Sequence, residues 1–310
     1  MRVGVPLVLV PVLLAGTCAC NLGEVVVASA RFQEEFSHSF PMRPGARLAL
    51  ESYNGAVEIL GWEKDEIRIS GVKYAGSEAD LKDLKVEIER SEQSVRVRVV
   101  PPGNRRGASG VRFVLRVPRR VELDPILTSN GSLRLEDLQG PARLETSNGS
   151  ITLRQLEGRI EARTSNGAIS GSDLAGEVRL RTSNGSIRLE RLKGTLEAAT
   201  SNSPIVARIL EPAAGGPLRV VTSNGSVELT LEAFQANPLT VATSNGSITL
   251  RLPATIGARI EAVTSNGSVH TDFELSGRFA AKGRLEGEIG GGGPPIRLGT
   301  SNGSIRVLRS

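Results

Sequence analysis

The residues best suited to bind a charged ligand lie between positions 105 and 120. This segment holds no acidic residue and six arginines, which are Arg105, Arg106, Arg112, Arg116, Arg119 and Arg120. Apolar residues alternate with the arginines from Val111 to Val117, which is the pattern of a strand with one buried face. The segment is therefore either an amphipathic strand with its loop or a binding surface for an anionic polymer, such as a phosphate-bearing surface glycan or lipid headgroups.

Carboxylate pairs, which cleave glycosidic bonds in many enzymes, are not evident in the sequence. The aspartates are widely separated, and repeated acids stand close to arginines, as Glu190 does to Arg188. The two histidines, His38 and His270, show no metal-ligand spacing. No glycine motif for phosphate or dinucleotide binding is present. We expect no enzyme activity, no metal and no cofactor, with a polysaccharide lyase or hydrolase as the alternative.

Both cysteines of the chain, Cys18 and Cys20, follow an apolar N-terminal stretch. Residues 3–15 are too few to span a bilayer, so residues 1–20 predict a secretory signal peptide. A cysteine directly after such a stretch is typical of bacterial lipoproteins, and Cys20 is the better candidate for lipid attachment because Ala19 precedes it. Ordinary secretion, with cleavage near Ala19 or after Ala30, is the alternative. We expect an exported protein of the cell envelope, with membrane contact only through a lipid anchor.

The element that must position these residues is a short repeated phrase, Thr-Ser-Asn-Gly-Ser. Seven intact copies begin at Thr128, Thr146, Thr182, Thr222, Thr243, Thr264 and Thr300, and variant copies begin at Thr164 and Thr200. The spacing is constant from Thr128 to Thr200 and slightly longer afterwards, and the last interval is twice the first. A period of about 20 residues indicates a stack of repeated units.

The repeat from Thr182 to Thr200 predicts two short strands and two turns. Ile187 and Leu189 alternate with polar residues, a turn follows at Lys193-Gly194, and alternation resumes at Leu196. The same alternation places the threonine of each copy on the buried side, which argues against an outward threonine array for ice or mineral binding. Asn-Gly suits the corner because both residues tolerate positive φ.

The near identity of the corners favours a parallel solenoid over an antiparallel meander. Stacked coils lie about 4.8 Å apart, so each corner asparagine meets that of the next coil, whereas the turns of a meander are independent. The predicted ladder consists of Asn130, Asn148, Asn166, Asn184, Asn202, Asn224, Asn245, Asn266 and Asn302. Stacking in chain order would give Asn302 a neighbour on one side only. Asn202 should mark an irregular corner, because Ser203 and Pro204 replace the usual Gly-Ser.

The predicted fold is all-β: a single elongated parallel β-solenoid, like a β-helix, with about 18–22 residues per coil and one short N-terminal helix. We predict a signal peptide at 1–20, a tether and N-terminal cap at 21–45, irregular N-terminal coils at 46–125 and the repeat solenoid at 126–310. Phe32, Phe36 and Phe40 are candidates to cap the open end. A capping box at 77–80 predicts a helix running into Leu81–Leu84.

Several of these segments together resemble a known family. Phe40-Pro41, the run from Leu48 to Gly55, Gly61-Trp62, the Asn-Gly-Ser repeats and the glycines at 290–293 resemble the bacterial putative-adhesin family of β-strand-repeat envelope proteins. The resemblance implies a β-helix-like fold outside the cytoplasm and supplies no catalytic residues.

These observations together predict a non-catalytic, adhesin-like binding or structural module of the cell envelope. A glycan-active enzyme and a partner in envelope-stress sensing are the alternatives. Its expected partners are an anionic surface glycan, lipid headgroups or another envelope protein. Nucleic acid is not expected, because an exported protein rarely meets it and aromatic residues for base stacking are absent near the arginines.

Overall fold

A computed structural model describes residues 31–103 and 108–310 of the 310-residue chain. Most of these residues form strands that wind into a solenoid, in which equivalent strands of successive coils pair in parallel. The predicted fold class, an all-β parallel solenoid with one short helix, is confirmed. No helix in the described residues is long and apolar enough to cross a membrane.

The elements fall into three groups along the chain. The N-terminal group is β1 (Phe32–Pro41), β2 (Arg47–Glu51), β3 (Val57–Trp62), β4 (Glu66–Ala75), α1 (Glu78–Asp83), β5 (Lys85–Arg90), β6 (Ser94–Val100), β7 (Gly110–Pro118), β8 (Glu122–Leu127) and β9 (Leu133–Gln139). The central group is β10 (Ala142–Glu145), β11 (Ile151–Arg163), β12 (Ile169–Arg181), β13 (Ile187–Ala199), β14 (Ile205–Pro212), β15 (Leu218–Val221), β16 (Val227–Leu231), β17 (Leu239–Ala242) and β18 (Ile248–Leu252). The C-terminal group is β19 (Ala258–Thr264), β20 (Val269–Thr271), β21 (Ser276–Ala281), β22 (Arg284–Ile289), β23 (Pro295–Thr300) and β24 (Ile305–Arg309).

Each coil has two faces that meet at the Thr-Ser-Asn-Gly corner. We call them the pre-corner face, which leads into the corner, and the post-corner face, which leaves it. In β11, β12 and β13 one strand of 13 residues supplies both, since it leaves one corner and runs to the next. These strands change direction at residues with positive φ, such as Asp173 at 56° and Gly176 at 115°.

The core is a set of stacked aliphatic columns. β11, β12 and β13 pair residue for residue, so Ile151, Ile169 and Ile187 lie one above another, and all three are fully buried. Burying one such side chain contributes roughly 1.5–3 kcal/mol. The corner threonines are buried as well, as the alternation predicted.

The N-terminal end is closed by antiparallel strands and the helix. β1 pairs with β4, β4 with β7, and β5 with β6, all antiparallel. Phe36 lies over Gly71, and a Cβ added to Gly71 would lie 2.6 Å from the Phe36 ring. The Phe36 ring also packs edge-on against the ring of Phe113. Phe36 thus covers the end of the core, whereas Phe32 is exposed.

The described part of the predicted tether and cap at 21–45 consists largely of a paired strand, β1. The helix prediction is confirmed, with the Ser77 side chain accepting a hydrogen bond from the Asp80 amide. The helix ends at Asp83.

The coils do not stack in chain order at either end. At the C-terminal end, β23 lies between β17 and β19, and β24 lies between β18 and β20. The final coil of the chain is therefore interior, and the prediction that Asn302 has a single neighbour is wrong. The corner phrase is nearly the same in every copy, so any two coils can stack on each other. The chain first forms the coil of β19 and β20, and the segment up to β22 then brings it back to the position between that coil and the coil of β17 and β18.

Candidate functional site

The predicted asparagines form one continuous ladder of side-chain hydrogen bonds. The ladder runs from Asn266 through Asn302 to Asn130. Each side-chain amide nitrogen donates to the Oδ1 of the asparagine in the adjacent coil, and the nitrogen–oxygen distances are 2.6–2.8 Å. The ladder continues to Asn54, which donates to the Ser109 carbonyl at 2.9 Å. These amides therefore satisfy one another, which is a structural role.

The threonines reinforce the corner from inside. Thr164 Oγ1 donates to the Gly149 carbonyl of the adjacent coil at 3.0 Å and accepts the Gly167 amide of its own coil at 3.2 Å. Asn202 keeps both ladder bonds, at 2.7 and 2.8 Å, so the ladder passes through the corner predicted to be irregular. The difference is local, because the Ser203 hydroxyl donates to the Asn184 carbonyl at 2.6 Å.

The arginines of the predicted binding surface that the structure describes each have different neighbours. Arg105, Arg106, Cys18 and Cys20 lie outside the described residues. Arg112 stacks on the ring of Tyr74 at 5.8 Å. Arg119 forms ion pairs with Glu63 and Asp137, at 2.9 and 2.6 Å, so acids from distant segments neutralise it. Arg120 is exposed and bridges to Gln139 through the backbone.

The structure places Arg116 in a different cluster, which sequence reasoning missed. Arg116 on β7 lies directly opposite Arg68 on β4. The Arg68 guanidinium lies 5.4 Å from the centre of the Trp62 ring, and the Lys64 ammonium lies 5.2 Å from it. The indole N–H of Trp62 donates to the Glu66 carbonyl at 2.7 Å, which fixes the ring. We call Trp62, Lys64, Arg68 and Arg116 the Trp62 cluster.

The Trp62 cluster sets three positive charges around a flat apolar ring, with Glu66 beside Arg68. Like charges directly opposite each other in a sheet are destabilising, and Arg116 has no ion pair among the described residues. Arg68 is partly compensated, by Glu66 at 3.7 Å and by a hydrogen bond to Ser39 at 3.3 Å. A bound anion would relieve the repulsion, because guanidinium groups bind carboxylate, sulfate or phosphate oxygens through charge-assisted hydrogen bonds. The arrangement can bind an anionic group next to a ring face.

The described residues around these arginines show no arrangement for acid–base or metal chemistry. Burial raises the pKa of Tyr74, and Arg112 opposes that shift, so the phenol stays protonated beneath the guanidinium. Within residues 31–103 and 108–310, no group of three or more His, Cys, Asp or Glu side chains is placed to hold a metal ion.

Comparison with protein families identifies the fold. Residues 47–308 match the family model described as Toastrack DUF4097, which covers most of the chain. The chain belongs to this family. The family is defined by a domain of unknown function, and the match begins at β2 and ends in β24. The displaced final coil and the Trp62 cluster both belong to the Toastrack domain, whereas β1 lies outside it.

Several solved structures resemble this chain in the overall path of the backbone. A putative adhesin from Parabacteroides merdae is 8% identical, with a TM-score of 0.39, and the match covers 89% of this chain and 96% of that one. A putative lipid binding protein from Parabacteroides distasonis is 13% identical, with a TM-score of 0.34 and coverage of 89% and 96%. A putative cell adhesion protein from Clostridium sporogenes is 12% identical, with a TM-score of 0.22 and coverage of 89% and 100%. Values this low say nothing about ligand or activity. None of the curated proteins compared with the chain matches it.

Proposed function

We propose that this Toastrack protein is a non-catalytic binding module of the cell envelope that holds an anionic surface glycan at the Trp62 cluster. The observation that carries the proposal is the pair of opposed arginines, Arg68 and Arg116, beside the fixed ring of Trp62. The ring holds the Arg68 guanidinium and the Lys64 ammonium over its face, and a guanidinium binds a carboxylate, sulfate or phosphate substituent through charge-assisted hydrogen bonds. A glycan with acidic groups would bind through these cations.

Removing both arginines is expected to weaken binding. We expect the double variant Arg68→Ala/Arg116→Ala to bind a sulfated polysaccharide, such as heparin, roughly tenfold or more weakly than the wild type, because each charged hydrogen bond contributes about 1.5–3 kcal/mol. Binding by the wild type should also weaken with added salt, since the Debye length falls to about 3 Å at 1 M. Titration calorimetry at two salt concentrations measures both effects.

A matched control removes the same charge elsewhere. Arg143 and Arg219 are exposed on the pre-corner face and have no ion pair among the described residues, so Arg143→Ala/Arg219→Ala tests net charge alone. The proposal requires this control to bind like the wild type. It is wrong if the two double variants bind equally well, or if the protein binds anionic lipid vesicles and not the polysaccharide.

Export belongs to the same proposal and rests on the N-terminal sequence. The apolar stretch at 3–15 ends near Cys18 and Cys20, the only cysteines of the chain. We expect cells expressing the full chain to incorporate a fatty-acid probe into the protein at Cys20, and cell fractionation to place it in the envelope. Unchanged incorporation in a Cys18→Ser/Cys20→Ser variant would contradict lipid attachment.

A further inference from the structure

We infer that the glycan is a linear polyanion that lies along the post-corner face and also contacts a second anion site, a recess on β12. This inference rests on the proposed function and extends it to the length of the ligand. The recess consists of Ser170, Gly171 and Ser172, with Arg154 on one side and Arg188 on the other.

The recess exists because three small residues lie between larger ones. In the register of the sheet, Ser170 lies between Thr152 and Arg188, and Ser172 lies between Arg154 and Glu190. Beneath them, the side chains of Leu174 and Leu189 fill the space that Gly171 leaves in the core. The core is therefore closed, and the depression is confined to the surface.

The charge at the recess is unbalanced. Arg154 and Arg188 are exposed, and neither has an ion pair or a side-chain hydrogen bond in the part of the chain that the structure describes. Three other arginines of the same face are compensated: Arg134, Arg208 and Arg251 each form an ion pair with a glutamate. The acid at the rim, Glu190, lies 3.9 Å from Arg191, which is itself paired with Asp173 at 2.6 Å, so Arg154 and Arg188 exceed the charge of Glu190 by one.

Hydroxyl groups complete the site. Ser170 lies next to Arg188, and Thr152, whose hydroxyl is 3.4 Å from that of Ser170, lies on the other side of Ser170. Ser172 lies next to Arg154. Two guanidinium groups and three hydroxyls around one depression suit an acidic sugar unit, since both kinds of group donate hydrogen bonds to anionic oxygens.

The recess and the Trp62 cluster are in line. The cross-strand register connects Arg116 to Arg154 through Leu60 and Glu136, so the two arginines belong to one outward row. The row crosses the strands β7, β3, β9 and β11, which places Arg154 about 14 Å from Arg116 along the solenoid axis. Arg188 lies two strands further, about 24 Å from Arg116. A polymer parallel to the axis would pass over both sites.

Two sites on one rigid face give a length-dependent affinity. A fragment that reaches both sites binds the second one intramolecularly, which raises the affinity beyond that of either site. We expect heparin fragments graded from disaccharide to dodecasaccharide to bind weakly until they span the distance and then about a hundredfold more tightly. Surface plasmon resonance with immobilised full-length protein measures the series.

The variants separate the inference from the proposed function. Arg154→Ala/Arg188→Ala should reduce the affinity for long fragments to that for short ones, and Arg143→Ala/Arg219→Ala should bind all fragments like the wild type. Circular dichroism checks that each variant is folded. Wild-type affinity of the Arg154/Arg188 variant for long fragments overturns the second site, whereas wild-type affinity of the Arg68/Arg116 variant overturns the proposed function. An affinity that does not increase with fragment length overturns the linear arrangement.

Discussion

Replacing Gly167 with alanine is expected to destabilise the solenoid by about 3 kcal/mol or more, although the change adds only one methyl group. A Cβ at this position would lie 1.8 Å from the carbonyl oxygen of Gly149 in the adjacent coil. That atom belongs to the backbone, and it accepts the hydrogen bond of Thr164, so it cannot move without opening the corner. Overpacking typically costs about 1–3 kcal/mol, and a contact with fixed backbone should reach or exceed the upper value.

The chain offers a matched control in Gly299. No heavy atom lies within 4 Å of the position of its Cβ, so Gly299→Ala should change the free energy of unfolding by less than about 0.5 kcal/mol. Urea unfolding followed by circular dichroism compares the two variants. Equal midpoints would show that the corners do not approach as closely as described.

Ending the chain after Pro294 is expected to release residues 258–289 from the solenoid. The truncation removes β23 and β24, which supply the parallel partners of β19 and β20. Of the pairings described for β19 and β20, only the antiparallel one with β22 would remain. Hydrogen exchange should show β19 losing protection while β11–β13 keep theirs. Full protection of β19 in the truncated chain would mean that it can stack directly on β17.

Point variants test the same arrangement in the intact chain. Asn302 donates to Asn245 and accepts from Asn266, whereas Asn266 has a described ladder partner only in Asn302. We expect Asn302→Ala to cost roughly 1–3 kcal/mol and Asn266→Ala about half as much, because one ladder bond is lost instead of two. Denaturation midpoints of the two variants compare these losses. A larger loss for Asn266→Ala than for Asn302→Ala would indicate that the coils stack in chain order.

The coil itself could be predicted from sequence because it depends on local patterns. Alternation in residues such as Ile187 and Leu189 fixes the buried side, and the Asn-Gly corner fixes the turn. The buried threonines follow from the alternation, and the parallel pairing follows from the near identity of the corner phrases, which stacking brings together. The capping box at Ser77 is likewise local, and it predicted where α1 begins.

The order of the coils could not be predicted, because near-identical corners do not specify which coil stacks on which. Asn302 hydrogen-bonds equally well to Asn245 and to Asn266, at 2.8 Å in both cases. The Trp62 cluster was missed for a related reason. Arg68 and Arg116 are far apart in the sequence, and only the antiparallel pairing of β4 with β7 brings them together. The one available signal was Trp62, the single tryptophan of the chain, close to Lys64.

The residue-for-residue register of β11, β12 and β13 has a consequence for how this gene can evolve. Each of these strands follows its corner phrase at the same spacing. Insertion or deletion of one whole repeat unit would therefore leave the coils on either side in the same register, with the same corner hydrogen bonds. The post-corner face can thus lengthen or shorten in steps of about 4.8 Å. The number of repeat units between two sites thus sets the distance between them on this surface.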